Sequence, residues 1–354
     1  MRRIQEAPQN GDPGKFALPS SNRCRSASIA SAVASWLRPS SALLPEMVGR
    51  DWKARLWVAI ALLLVLGGAG CSQSTARTDG SSGKPVVIQN IGSDTMVNLA
   101  QAWAEEYQNV EPNISVEVSG GGSGLGIAAL INGTADIANS SRHIEPEEEA
   151  AVAEHSGSKP REFLVGFDAL SIYVHKDNPI TSISLEELHE IYAEGGKIDR
   201  WSQLGITNIP RARTDRIIRV SRQNNSGTYH YFREVVCGKK GDFKLGSLDM
   251  NGSKDVVELV SHTPGAIGYS GFGYNTRNVK MIPVSRKKGE KAVLPSIETT
   301  LDKSYPISRP MFMYTPGEPP AHVRRYIDWI LSPAGQKIVE LTGYIPLNLA
   351  EDKR

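Results

Sequence analysis

Long apolar runs are scarce in this chain, and so are cysteines, blocks of one charge and histidines at metal-binding spacings. The most marked apolar stretch, Leu56 to Leu66, is short of the roughly 18–20 residues that a membrane-spanning helix needs. Three cysteines stand at 24, 71 and 237, far apart, and only Cys237 falls among the segments patterned for a fold. A disulfide framework is therefore excluded, and the fold must rest on its own core. Basic and acidic residues number 40 and 38, a net charge of +2 with no long single-sign run, which gives a nucleic-acid partner no support. Seven histidines, at 143, 155, 175, 189, 230, 262 and 322, lack a spacing such as H-x-x-x-H, so no metal and no cofactor is expected. No period of 20–50 residues marks a repeat architecture.

What is present begins with an unusual N-terminus. Residues 1–46 are rich in Ser, Arg and Pro and read as an upstream extension without structure. Met47 then opens MVGRDWKARLWVAIALLLVLGGAGC, with Arg50, Lys53 and Arg55 before the apolar core and small residues after it. The pattern over 47–71 resembles a bacterial lipoprotein signal, which implies lipidation of Cys71 and export to the membrane face outside the cytoplasm; an ordinary secretory signal or a membrane anchor is the alternative. Gly70 and Ala69 fit the box before the cysteine; Gly68 stands where a Leu-type residue is usual. SQSTARTDGSSGKP follows, small and polar, a flexible tether over 72–85.

Beyond the tether the pattern alternates. VVIQNIGSD reads as a strand and a turn, and MVNLAQAWAEEYQNV as a helix with Leu99, Trp103 and Tyr107 on one face. ISVEVSG is a second strand, GIAALING a short helix and ADIANSS a third strand. A long apolar strand, FDALSIYVH, precedes a helix with a capping box at Ser184 and Glu187. IIRVSR is a further strand, and Ser253 to His262 a helix. Strands alternating with glycine-rich turns and helices predict an α/β layered fold, and 354 residues leave room for about two domains.

Three short segments share one design: Gly92-Ser93-Asp94-Thr95, Gly122-Ser123-Gly124 and Ser226-Gly227-Thr228. Each follows a predicted strand and stands at a predicted helix start. Backbone N–H groups are unpartnered there and the helix end carries partial positive charge. Glycine admits an anion close to that backbone, and hydroxyls add rotatable donors. Arg222, just before the third segment, adds a guanidinium whose fork suits a tetrahedral oxyanion. Taken singly, each segment is an ordinary helix cap; three together with an arginine exceed what capping needs. Enzyme motifs fare worse. GGGSG lacks the Gly-Lys-Ser/Thr ending of a nucleotide loop, and the nucleophile elbow is only loosely mimicked near Gly121 to Gly124. Cys237 reads as a small hydrophobe and Asp136 as a turn residue.

IGSDTMVNLAQAWAEEY, VSGGGSGLGIAALINGTADIANSSR, SRQNNSGTYHYFREVV and PGAIGYSGFGY together resemble the phosphate-binding lipoproteins of ABC-type phosphate importers, in the family's order from about Val86 to Leu347. The resemblance implies a two-lobed, type II-like periplasmic binding protein fold with its cleft between the lobes. Lobe 1 is expected over 86–167 and 276–354, and lobe 2 over 168–275. Carried over by motif, the phosphate-binding residues are Ser93, Asp94, Thr95, Ser123, Gly124, Ser140, Ser141, Arg222, Ser226, Gly227 and Thr228. Some members carry aspartate at the positions of Ser141 and Asn224; with the Ser141-Arg142 pair here, Asp94 is expected to accept the ligand's proton. Its alternative is a plain cap of the following helix. The implied partners are inorganic phosphate, ABC permease subunits and, through a lipid anchor, the membrane. Sulfate or molybdate as ligand, a phosphate-ester hydrolase, and an adhesion or sensing protein on the same fold are the alternatives.

Overall fold

The computed structural model describes residues 85–347. The proposed upstream extension, signal and Cys71, and the tether up to residue 84, lie outside them. Strand β1 (Val86–Gly92) feeds helix α1 (Val97–Val110), whose Leu99, Ala100, Trp103 and Tyr107 are buried at helical spacing. β2 (Ile114–Ser119) returns parallel to β1, and α2 (Ser123–Ile131) leads to β3 (Ile137–Ser140) on β1's other side. α3 (Pro146–Ser156) follows, with Pro146 at its first position and Gly157 in the left-handed conformation at its end.

β4 (Arg161–His175) is 15 residues long, about 50 Å at strand rise, and belongs to both halves of the molecule. Then come β5 (Ile183–Ser184), α4 (Leu185–Tyr192), β6 (Ile218–Arg222), α5 (Gly227–Cys237), β7 (Leu248–Met250), α6 (Ser253–His262) and β8 (Ala266–Gly271). The predicted capping box is present: the Ser184 hydroxyl accepts from the Glu187 N–H at 3.1 Å, and the Glu187 carboxylate accepts from the Ser184 N–H at 3.0 Å. The chain closes with β9 (Val279–Met281), β10 (Val284–Ser285), α7 (Ile297–Leu301), β11 (Ser308–Thr315), α8 (Ala321–Leu331) and α9 (Pro333–Leu341).

The nine-stranded sheet runs β2-β1-β3-β11-β4-β8-β6-β7, with β9 also paired to β4. Arg161 to Ala169 of β4 pairs with β11, while Leu170 to Val174 pairs with β8. One strand thus changes partners midway, and the two lobes meet at that change. Separate cores confirm the division. Ile88, Trp103, Val165, Met313 and Ile327 share one cluster, and Ile172, Tyr192, Trp201, Phe232 and Tyr269 another.

The chain returns to the first lobe later than residue 276. β9 pairs with Tyr173 to His175, and Ile282, Val284, Tyr305 and Ile307 sit in the second lobe's core. The return is β11, beginning at Ser308. Strands of two or three residues carry too little periodicity to reveal this from sequence.

Candidate functional site

The three loops converge where the lobes meet. Thr95 and Thr228, one from each lobe, place their Oγ1 atoms 2.7 Å apart. Ser93 Oγ donates to Ser141 Oγ at 2.9 Å, and Ser123 Oγ accepts the Ser141 N–H at 3.1 Å. Ser253 Oγ lies 3.4 Å from Thr95 Oγ1. All six of these side chains are buried. A knot of hydroxyls in a dry interior is costly unless each finds a partner, and these answer one another.

The glycines explain how the loops come so close. A Cβ on Gly227 would stand 2.3 Å from Ser123 Oγ and 2.7 Å from Ser141 Oγ, both in the opposite lobe. Gly122, at φ +98°, would drive one to 2.7 Å from the Asn225 carbonyl. Across the same seam the Gly124 N–H donates to the Asn225 carbonyl at 3.0 Å, and Asn225 Nδ2 donates to the Gly121 carbonyl at 2.9 Å.

Two arginines enter from different sides. Arg222, at the end of β6 and 1% exposed, donates from Nη2 to Asp94 Oδ2 at 2.8 Å and from Nη1 to Ser253 Oγ at 3.0 Å. Burial pulls its pKa below the ordinary arginine value, with Asp94 opposing. Asp94 Oδ1 accepts the Gly121 N–H at 3.0 Å, so this carboxylate ties all three loops together. It does not cap α1: Met96 is the cap residue and no side chain serves there. Arg309, on β11, donates from Nη2 to Thr95 Oγ1 at 3.1 Å and to Thr228 Oγ1 at 2.9 Å. Its Nε and Nη2 also meet Asp168 Oδ2 at 3.2 and 3.0 Å, with both side chains essentially out of solvent.

Of the residues expected here, Ser93, Asp94, Thr95, Ser123, Ser141, Arg222, Gly227 and Thr228 stand within this cluster. Three serve differently. Ser140 is buried but turns back to donate to the Arg142 carbonyl at 2.7 Å. The Ser226 hydroxyl caps α5, accepting from the Thr228 and Tyr229 N–H groups at 3.2 and 3.4 Å. Gly124 spends its N–H on the seam. Arg142, beside Ser141, pairs with Glu148 at 2.7 Å rather than with the cluster.

Arg309, Asp168 and Ser253 were missed by sequence reasoning. A signal existed for the first two: a charged residue inside an otherwise apolar strand is rarely buried unless paired. Tyr274 adds a donor to the Asp94 carbonyl at 2.6 Å, and the Tyr344 hydroxyl donates to the Thr95 carbonyl. These phenols hold the first loop from beneath.

Chemically, the arrangement offers hydroxyls and two guanidiniums to something negative and small. Among the described residues no group of His, Cys, Asp and Glu is placed to hold a metal. Burial pushes the half-buried Cys237 thiol up to about 11, which makes it a poor nucleophile at neutral pH.

A family profile described as a PBP superfamily domain matches residues 73–334. The phosphate-binding protein PstS of Pseudomonas aeruginosa is 35% identical over 305 residues, covering 81% of this chain and 93% of the relative. The protein of that name from Bacillus subtilis is 30% identical, over 79% of this chain and 88% of its own. Among solved structures, a phosphate ABC transporter substrate-binding protein from Clostridium perfringens with bound phosphate is 30% identical, with a TM-score of 0.64 over 74% of this chain and 99% of that one. An ABC-type phosphate transport receptor from Vibrio cholerae is 28% identical, with a TM-score of 0.57 over 73% and 99%.

Proposed function

The chain belongs to the PBP superfamily and, within it, to the phosphate-binding proteins, and from that membership we propose that it captures inorganic phosphate outside the cytoplasm for an ABC-type importer. One observation supports this above the rest. Hydroxyls from both lobes and two buried guanidiniums converge on a single seam. A tetrahedral oxyanion there would find Ser93, Thr95, Ser123, Ser141, Arg222 and Thr228 as side-chain donors with the N–H of Gly227 beside them, while Gly124, Ser226 and Ser140, whose own donors are spent on the Asn225, Gln223 and Arg142 carbonyls, would shape the surround. Permease subunits would then read the closed shape, which ligand binding favours through its greater affinity for that state.

Asp94 would set selectivity. Phosphate keeps a proton at neutral pH and sulfate does not. A carboxylate accepts about four hydrogen bonds, and Asp94 uses one oxygen on Gly121 and the other on Arg222, which leaves lone pairs for the ligand's proton. The same carboxylate would repel a fully ionised sulfate. An unmatched pair in a dry site costs about 1–3 kcal/mol, roughly ten- to a hundredfold in discrimination.

The relatives are binding proteins, and covalent chemistry is no part of this reading. Cys71 would carry the lipid that holds the domain at the membrane through the tether. Mass spectrometry of the N-terminal peptide tests that point, since a Cys71→Ser protein should lose both lipid and membrane fraction. For the main reading, calorimetry of the protein from Ser72 onward against phosphate, sulfate and molybdate is decisive. Preference for sulfate or molybdate, or no binding of any of the three, would reject phosphate as the ligand. Turnover of a chromogenic phosphate ester would favour the hydrolase instead.

A further inference from the structure

The second lobe holds another cavity, of about 480 Å³, at the opposite end of its sheet. β6 and β8 are parallel. Their carboxyl ends face the seam, where Arg222 stands; their amino ends, Ile218 and Gly265, line this cavity. Four residues of strand, about 13 Å, separate Ile218 from Arg222. The cavity is therefore distinct from the cleft.

Its walls carry cations and no carboxylate. Arg211, Arg213, Arg216, His175 and His262 line it, and no Asp or Glu does. Of the two nearby acids, Asp215 is engaged elsewhere, accepting from the Ser202 hydroxyl at 2.6 Å, while Asp177 pairs with Arg211 and stands 3.8 Å from His175 Nδ1, so it offsets one of the three guanidiniums and leaves two. The guanidiniums of Arg213 and Arg216 have no hydrogen-bond or ion-pair partner among the described residues.

His175 supplies an independent observation. It is 5% exposed. The Asp177 N–H points at its Nδ1 at 3.1 Å, so Nδ1 must accept. Burial lowers its pKa, against the pull of Asp177, so the ring is neutral at neutral pH and its one hydrogen lies on Nε2. That N–H has no protein acceptor among the described residues. A ring N–H that opens on the cavity without a protein acceptor and two guanidiniums without partners together form an anion site in chemical terms.

We propose that this cavity binds a small oxyanion bearing two or more charged groups. Its volume falls in the range of small-molecule sites, about 300–1,000 Å³, ample for a pyrophosphate or tricarboxylate. Several guanidiniums reward several anionic groups on one ligand.

The test uses the intact protein with the cleft saturated by orthophosphate, titrated with pyrophosphate and with citrate by calorimetry. At least one of them should bind at one further site. The Arg213→Ala/Arg216→Ala double variant should weaken that binding by about tenfold or more while orthophosphate affinity stays unchanged. Both residues are exposed, so the fold should survive the change. The His175 Nε2 resonance should shift on titration in the wild type. Undiminished affinity in the double variant overturns the proposal. So does a wild type that gives neither binding heat nor movement of the His175 signal.

Discussion

At the scale of single residues, the two arginines have different duties. Arg222 bonds the first loop through Asp94 and the start of α6 through Ser253. Arg222→Ala is expected to weaken phosphate binding by about a hundredfold or more, since charged hydrogen bonds each contribute about 1.5–3 kcal/mol. Normal binding by calorimetry would remove it from the site. Arg309 pairs with a fully buried Asp168. Arg309→Ala leaves that carboxylate uncompensated, so unfolding in urea should show a loss of about 3–5 kcal/mol. Asp94→Asn should narrow the preference for phosphate over sulfate, and unchanged selectivity in competition binding would acquit it. The sequence made Arg222 legible because it abuts a glycine-hydroxyl turn. Arg309 and Asp168 were not legible because Arg309 lies in a segment for which no strand was predicted and Asp168 interrupts FDALSIYVH, which reads as a long apolar strand. Only the pairing in three dimensions makes those charges sensible.

At the scale of elements, the strand-turn-helix junction does the positioning. These junctions were readable because their signals are local: a strand period, a glycine, a hydroxyl. What local pattern could not separate is a hydroxyl that caps from one that faces the cleft. Ser226 caps and Ser123 faces inward, though each opens a helix after a strand and turn. Ser226→Ala should therefore lower stability by about 1 kcal/mol, read from the denaturation midpoint, through the start of α5. Gly227→Ala should behave differently. Its methyl would strike Ser123 and Ser141 in the other lobe, so the fold should persist while tight phosphate binding is lost. A Gly227→Ala protein that binds normally would show that the seam relaxes at no cost.

At the scale of the whole molecule, β4 and β11 carry the lobes on continuous backbone. The lobes are also latched by contacts that do not depend on the buried knot. Asn225 Nδ2 bonds the Gly121 carbonyl at an exposed edge. Asn225→Ala should raise the phosphate dissociation rate by about three- to tenfold, a single hydrogen bond's contribution of about 0.5–1.5 kcal/mol, as stopped-flow displacement would show. An unchanged rate would mean that the latch is replaced by solvent without penalty. Two lobes were implied by the family resemblance, while the alternating pattern indicated the α/β layering alone. It did not show where the chain recrosses, because β9 and β10 together hold five residues.

Each arginine of the seam already faces an aspartate, Arg222 with Asp94 and Arg309 with Asp168. The doorway is therefore close to electrically balanced before any ion arrives. Long-range attraction of a dianion should be slight, and its arrival rate should hardly change between low and high ionic strength. Selection is then made at short range, after encounter, by how well the visitor fits the fixed donors.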